Sequence, residues 1–185
     1  MLKGSQGQRR SARGNRAKGR SGKAGLMPHP SATVAREILG IAQQDGRPIT
    51  LLELIKLTYL AHGWSLALRD EPLVSEAAEA WQYGPVFPDL YHALKSSRAN
   101  PVSYVPSPTD GFGGAPVRVS AEEASLLRSV YNAYKGLNGV QLSSLTHQPN
   151  TPWDKAWRAG RNSAIQNEVI KAHFIELRDR QRQSA

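Results

Sequence analysis

Five histidines, His29, His62, His92, His147 and His173, are the side chains of this 185-residue sequence best suited to proton transfer or metal binding. A zinc pair carried on one helix needs two ligands a turn apart, as in H-E-x-x-H, and no two of these histidines have that spacing. His62, His92 and His147 belong to separate segments and would have to converge in space to form a site. Serines are plentiful, but no G-x-S-x-G elbow presents one as a nucleophile. The Gly111-Phe-Gly-Gly114 run lacks the Lys-Ser/Thr of a phosphate loop, and a hairpin connection explains it better. With no cysteine in the chain, disulfides, thiolate zinc sites and a Cys nucleophile are excluded. The expectation is therefore no catalytic residue, no metal and no cofactor. A hydrolase built on His62 or His147 is the enzymatic alternative.

The elements that would position these residues are mostly helices. Ser31 can cap a first helix carrying Val34, Ile38 and Ile41 on one face, and Gly46 with Pro48 ends it. Thr50-x-x-Glu53 is a capping box, and the helix it opens, to about Arg69, is apolar nearly all round. A helix with no polar face belongs in the middle of a domain. Glu53 and Lys56, three apart on it, are expected to pair with each other. Ala80 to Tyr83 suits a short strand with Trp81 and Tyr83 on one face. Gly84-Pro85 makes a rigid corner, and Pro88 with Asp89 suits the first turn of another helix.

Further along, Val102 to Val105 and Val117 to Val119 read as two strands around a loop at 110–114. Ser120-x-x-Glu123 is a second box, opening a helix with Leu127, Val130, Tyr131 and Tyr134 on its stripe. Residues 141 to 146 suit a short helical turn. Thr151-Pro-Trp-Asp154 is a third box, setting Trp153 and Trp157 one turn apart, and Ser163-x-x-Gln166 is a fourth. The sum is an α+β, predominantly helical chain. It forms a single compact domain of about five to six helices over 31–181, with a small antiparallel β element.

Charge separates that domain from what precedes it. The net charge is +9, yet residues 1–26 hold Lys3, Arg9, Arg10, Arg13, Arg16, Lys18, Arg20 and Lys23 and no acid, which leaves +1 for the rest. Residues 1–30 read as a disordered basic tail, because they cannot bury enough apolar surface to offset ordering. Arg9, Arg10, Arg13, Arg16, Lys18, Arg20 and Lys23 would grip nucleic-acid phosphates if the tail is a functional arm. Alternatively the native start is Met27 and the tail is upstream sequence. No stretch reaches 18 uninterrupted apolar residues and no secretory leader is present, so a cytoplasmic protein without a membrane span is expected.

Four tryptophans, Trp64, Trp81, Trp153 and Trp157, stand out in so small a body. Core packing accounts for most buried aromatics. Trp81, Tyr83, Pro85 and Tyr91 are the best candidates for a partner surface, because a rigid corner presents aromatic anchors at low entropic cost.

Three runs in order carry a resemblance. Lys56, Leu57, Tyr59, Ala61, His62, Gly63 and Trp64 form the first; Trp81, Tyr83, Gly84, Pro85 and Val86 the second; Leu142, Ser143, Leu145, Thr146, His147, Pro152 and Trp153 the third. Together they resemble the signatures of the Panacea domain, the SocA-like antitoxin family, over about residues 31 to 177. The resemblance implies a small, mainly helical bacterial protein that neutralises a cognate toxin by direct binding, in one branch as an adaptor to the ClpXP protease. It also implies that some members are phage-associated and that the fold has no established catalytic residues. The basic tail departs from the family pattern, whose members commonly begin near the position of Met27.

Overall fold

The computed structural model describes residues 27–97, 100–106 and 118–184. Seven helices stand among them: α1 (Ser31–Gln44), α2 (Leu51–Arg69), α3 (Pro88–Leu94), α4 (Ala121–Tyr134), α5 (Gly139–Thr146), α6 (Pro152–Ala159) and α7 (Asn167–Gln183). Three short strands, β1 (Ala78–Trp81), β2 (Gly84–Val86) and β3 (Ala164–Ile165), form one antiparallel sheet in the order β2-β1-β3. The α+β, mainly helical architecture is as the sequence predicts. The seventh helix beyond the expected five or six comes from Asn138, whose side chain accepts from the Gln141 N–H while Gln141 returns a bond to the Asn138 N–H. That box turns an expected helical turn into the eight-residue α5.

The uniformly apolar α2 is the axis of the molecule. Its residues are buried from Glu53 through Ala67, and α1, α3, α4, α5, α7 and β2 all pack on it. Both Thr50–Glu53 and Ser120–Glu123 form complete capping boxes. Helix α1 stops as its sequence dictates: Gly46 at φ 66° lets its own N–H reach the Gln43 carbonyl and the Arg47 N–H reach Ala42. Close to the far end of α2, Gly63 admits the Phe174 ring of α7; a Cβ there would collide with it.

Several local expectations yield to tertiary contacts. Ser31 is not a cap; Pro30 holds that position, and the Ser31 hydroxyl and N–H both donate to Glu76. Glu53 pairs with Arg47 at 2.7 Å rather than with Lys56, because its other oxygen is committed to Thr50. The strand lies two residues earlier than Ala80–Tyr83, so Tyr83 falls in the turn and not on the face of Trp81. Ser163 does not open α7: Asn162 and Ser163 bond to Ala80, and Ile165 pairs with Ala78 as strand, which postpones the helix to Asn167. The box at Thr151 is half formed, since Asp154 accepts from the Asn150 N–H and pairs with Arg158. Val102–Val105 is not a strand; Val102 donates to the Ile49 carbonyl and Val102 and Val105 plug the core. The described part of 117–119 is not strand either, and the 110–114 loop lies outside the described residues.

Candidate partner-binding surface

The three sequence runs converge on the β1–β2 hairpin. Trp81 pairs with Gly84 across a turn of two residues, Gln82 and Tyr83. Alternate carbonyls of this turn are taken by side chains from three different helices. The indole N–H of Trp153 on α6 donates to the Trp81 carbonyl at 2.7 Å. The Ser143 hydroxyl on α5 donates to the Tyr83 carbonyl at 2.6 Å. The Lys56 Nζ on α2 donates to the Pro85 carbonyl at 3.0 Å. Gly84, at φ 100°, lies so close beneath that a Cβ would stand 2.6 Å from Lys56 Nζ and 3.2 Å from Thr146 Oγ1. These are the motif residues, and they act together as a latch.

Lys56 is fully buried, and burial pushes its amine down to about 7. At about 1.4 kcal/mol per pKa unit, burial disfavours the charged form by on the order of 5 kcal/mol relative to water, so the amine is half protonated near pH 7 and a neutral donor above it. His62 is also buried and also held below its ordinary value by burial. Its Nδ1 accepts from the Val74 N–H at 3.1 Å, which leaves Nε2 to donate to Asn167 at 2.9 Å. Both nitrogens are thereby occupied in holding the 70s loop and α7 to α2. His147 lies edge-on to Trp153 and its Nδ1 donates to the Ser143 carbonyl. The His29 ring bonds Glu123 at 3.0 Å, and its backbone is bridged to Val74, the residue that donates to His62. Among the described residues no group of three or more His, Asp or Glu side chains could hold a metal ion. No helix among them is long and apolar enough to cross a membrane.

What the latch leaves outside is aromatic. Tyr83 is 68% exposed at the tip of the turn. Trp81 is half-buried, with its ring edge-on to Tyr91 at 5.0 Å and its indole N–H on Glu79 at 2.8 Å. His92 closes the cluster at 6.1 Å from Trp81. Between this cluster and α2 runs a groove of about 450 Å³ whose apolar wall is Leu51, Leu52 and Ile55. Of the four residues predicted for the surface, Tyr83, Trp81 and Tyr91 line this groove, whereas Pro85 is buried in β2. Pairing alternation in the sequence pointed to Trp81 and Tyr83 together; it could not reveal that Leu51 and Ile55, which are core residues of α2, and Leu52 beside them, also border this groove. Arg9, Arg10, Arg13, Arg16, Lys18, Arg20 and Lys23 lie outside the described residues. Residues 27–30, grouped with the tail on composition, are described, and His29 is buried with its backbone bridged to Val74.

A mainly helical domain whose polar motif residues hold a hairpin in place, under a rigid aromatic face, has the build of a binding module. The family described as Antitoxin SocA-like, Panacea domain, matches residues 54–154, more than half of the chain, and the protein belongs to it. The chain is also 29% identical over 150 residues to the Antitoxin SocA of Caulobacter vibrioides (strain NA1000 / CB15N), a stretch covering 76% of this chain and 80% of that protein. No solved structure matches.

Proposed function

We propose that the protein is an antitoxin that neutralises a toxin protein by direct stoichiometric binding, through the Trp81–Tyr83–Tyr91 face and its groove, in the cytoplasm. The observation that carries this reading is Tyr83: a large exposed ring on a turn whose flanking carbonyls are fixed by Trp153, Ser143 and Lys56. An anchor already held in its bound geometry loses little freedom on docking, and buried Trp and Tyr dominate protein interfaces. Family membership supplies the class of partner. Delivery of the bound toxin to the ClpXP protease is the finer form of the proposal, in which this face holds the cargo.

The test is titration calorimetry against the proteins encoded beside this one. Wild type should bind one of them, and Tyr83→Ala should weaken that binding roughly 30-fold or more, as at an interface hot spot, with an unchanged Tm. Failure of the wild type to bind any neighbour, or full affinity in Tyr83→Ala, overturns the reading. Adding purified ClpXP then separates the two modes: a shortened toxin lifetime means escort, and an unchanged one means blocking.

A further inference from the structure

Charge is absent from two runs of the chain that the fold brings together. Residues 80–88 and 136–153 hold no Asp, Glu, Lys or Arg, in a chain of which these types make up 21%. The first run is the hairpin with the start of α3, and the second spans α5 and the entry to α6. They are joined where the Ser143 hydroxyl donates to the Tyr83 carbonyl and the Trp153 indole N–H to that of Trp81. Tyr83, Val140, Gln141 and Ser144 of these runs face solvent. A surface emptied of charge and enriched in aromatic rings has the composition of an interface core.

The groove beside Trp81 and Tyr83 is the seam of this surface, and its one acidic or basic side chain, Lys56, is wholly covered. On the α5 side the apolar surface runs on. Gly139, the first residue of α5, packs so closely on Leu52 of the groove wall that a Cβ would stand 3.1 Å from Leu52 Cβ. Val140 follows it and stands one turn before Ser143, on the flank of α5 that reaches the hairpin. It is 71% exposed, an apolar side chain left in water next to the residue that touches Leu52.

We propose that the binding surface continues from the groove over Leu52 to Val140 and takes an uncharged, apolar segment of the toxin, with no ion pair at its centre. This inference rests on the toxin reading and adds the chemistry of the segment that fills the groove. A charged segment would be desolvated against Leu52, Ile55 and Val140 with nothing to pair with.

The test is titration calorimetry of the full-length protein against the neighbour-encoded protein that wild type binds, at about 50 and about 500 mM NaCl. Val140→Asp and Val140→Lys should each weaken binding roughly 10-fold or more, equally at both salt concentrations, with an unchanged Tm. Leu68 is exposed too, but lies about 24 Å along α2 from Leu52, so Leu68→Asp should bind as wild type does. Full affinity in both Val140 variants, with Tyr83→Ala weakened, overturns this inference and leaves the toxin reading standing. So does tolerance of one sign of charge only, which would put the opposite charge on the partner. A dimer of this chain that Val140→Asp dissociates would give the strip to a second copy and sink the proposal as well. If Tyr83→Ala keeps full affinity, or wild type binds no neighbour, the toxin reading falls and this inference falls with it.

Discussion

The inner and outer sides of the β1–β2 hairpin lie a few ångströms apart and obey opposite rules. Inward, the carbonyls of Trp81, Tyr83 and Pro85 each receive a donor from a different helix, and Gly84 leaves no room for another atom. Outward, Tyr83 is exposed and Trp81 and Tyr91 are half-buried. A substitution inside must therefore disturb several helices at once, while one outside should leave the fold intact. The difference teaches that a strongly patterned sequence run can serve to hold a backbone still, while the side chain it leaves exposed belongs to a neighbouring residue.

The contrast is most severely challenged at Gly84. Gly84→Ala combines a left-handed backbone angle with a Cβ pressed on Lys56 Nζ. It should lower stability by about 3 kcal/mol, read as a fall in the urea midpoint. A midpoint close to wild type would mean the inner side is loose.

Lys56→Met tests the latch through pH. The folded amine loses its proton near 7, while the unfolded one keeps it to about 10.5. Across that window the unfolded chain binds more protons, so wild-type stability climbs with pH, by up to about 1.4 kcal/mol per unit. The gain is complete above about 10.5 and absent below about 7. Tyr59 and Tyr134, whose folded pKa values are raised by burial, act in the other direction once the unfolded phenols ionise, so the scan should stop short of about pH 9.5. Lys56→Met should flatten the slope between pH 7 and 9; an undiminished slope would place the titrating group elsewhere.

The smallest effect is expected outside. Tyr83→Ala should change the unfolding free energy by less than about 0.5 kcal/mol, as exposed positions do. A loss of several times that would show that the tip is part of the latch after all.

Much of this was legible in the sequence because it is encoded locally. The capping pairs Thr50–Glu53 and Ser120–Glu123, the apolar circumference of α2 and the Pro88 start of α3 each depend on residues within a turn of one another. The misread pieces depend on partners outside their own element. Ser163 carries a good local box but is held as extended chain by Ala80, more than eighty residues earlier, and Glu53 chose Arg47 from the preceding loop over a neighbour on its own helix. The candidate surface was half legible. Its aromatics announced themselves, but the groove wall of Leu51, Leu52 and Ile55 exists only where the hairpin folds across the first turns of α2.

The seat of Phe174 against Gly63 has a consequence for how the protein comes into being. The central helix is synthesised early, yet the ring that fills its glycine notch and meets Tyr59 and Trp64 arrives more than a hundred residues later. Until α7 has left the ribosome, one flank of α2 stays uncovered, and a nascent chain halted before it offers an apolar strip to chaperones and proteases. Closure of this flank of the core is thus tied to α7, and a chain cut short before residue 174 lacks the ring that fills the glycine notch.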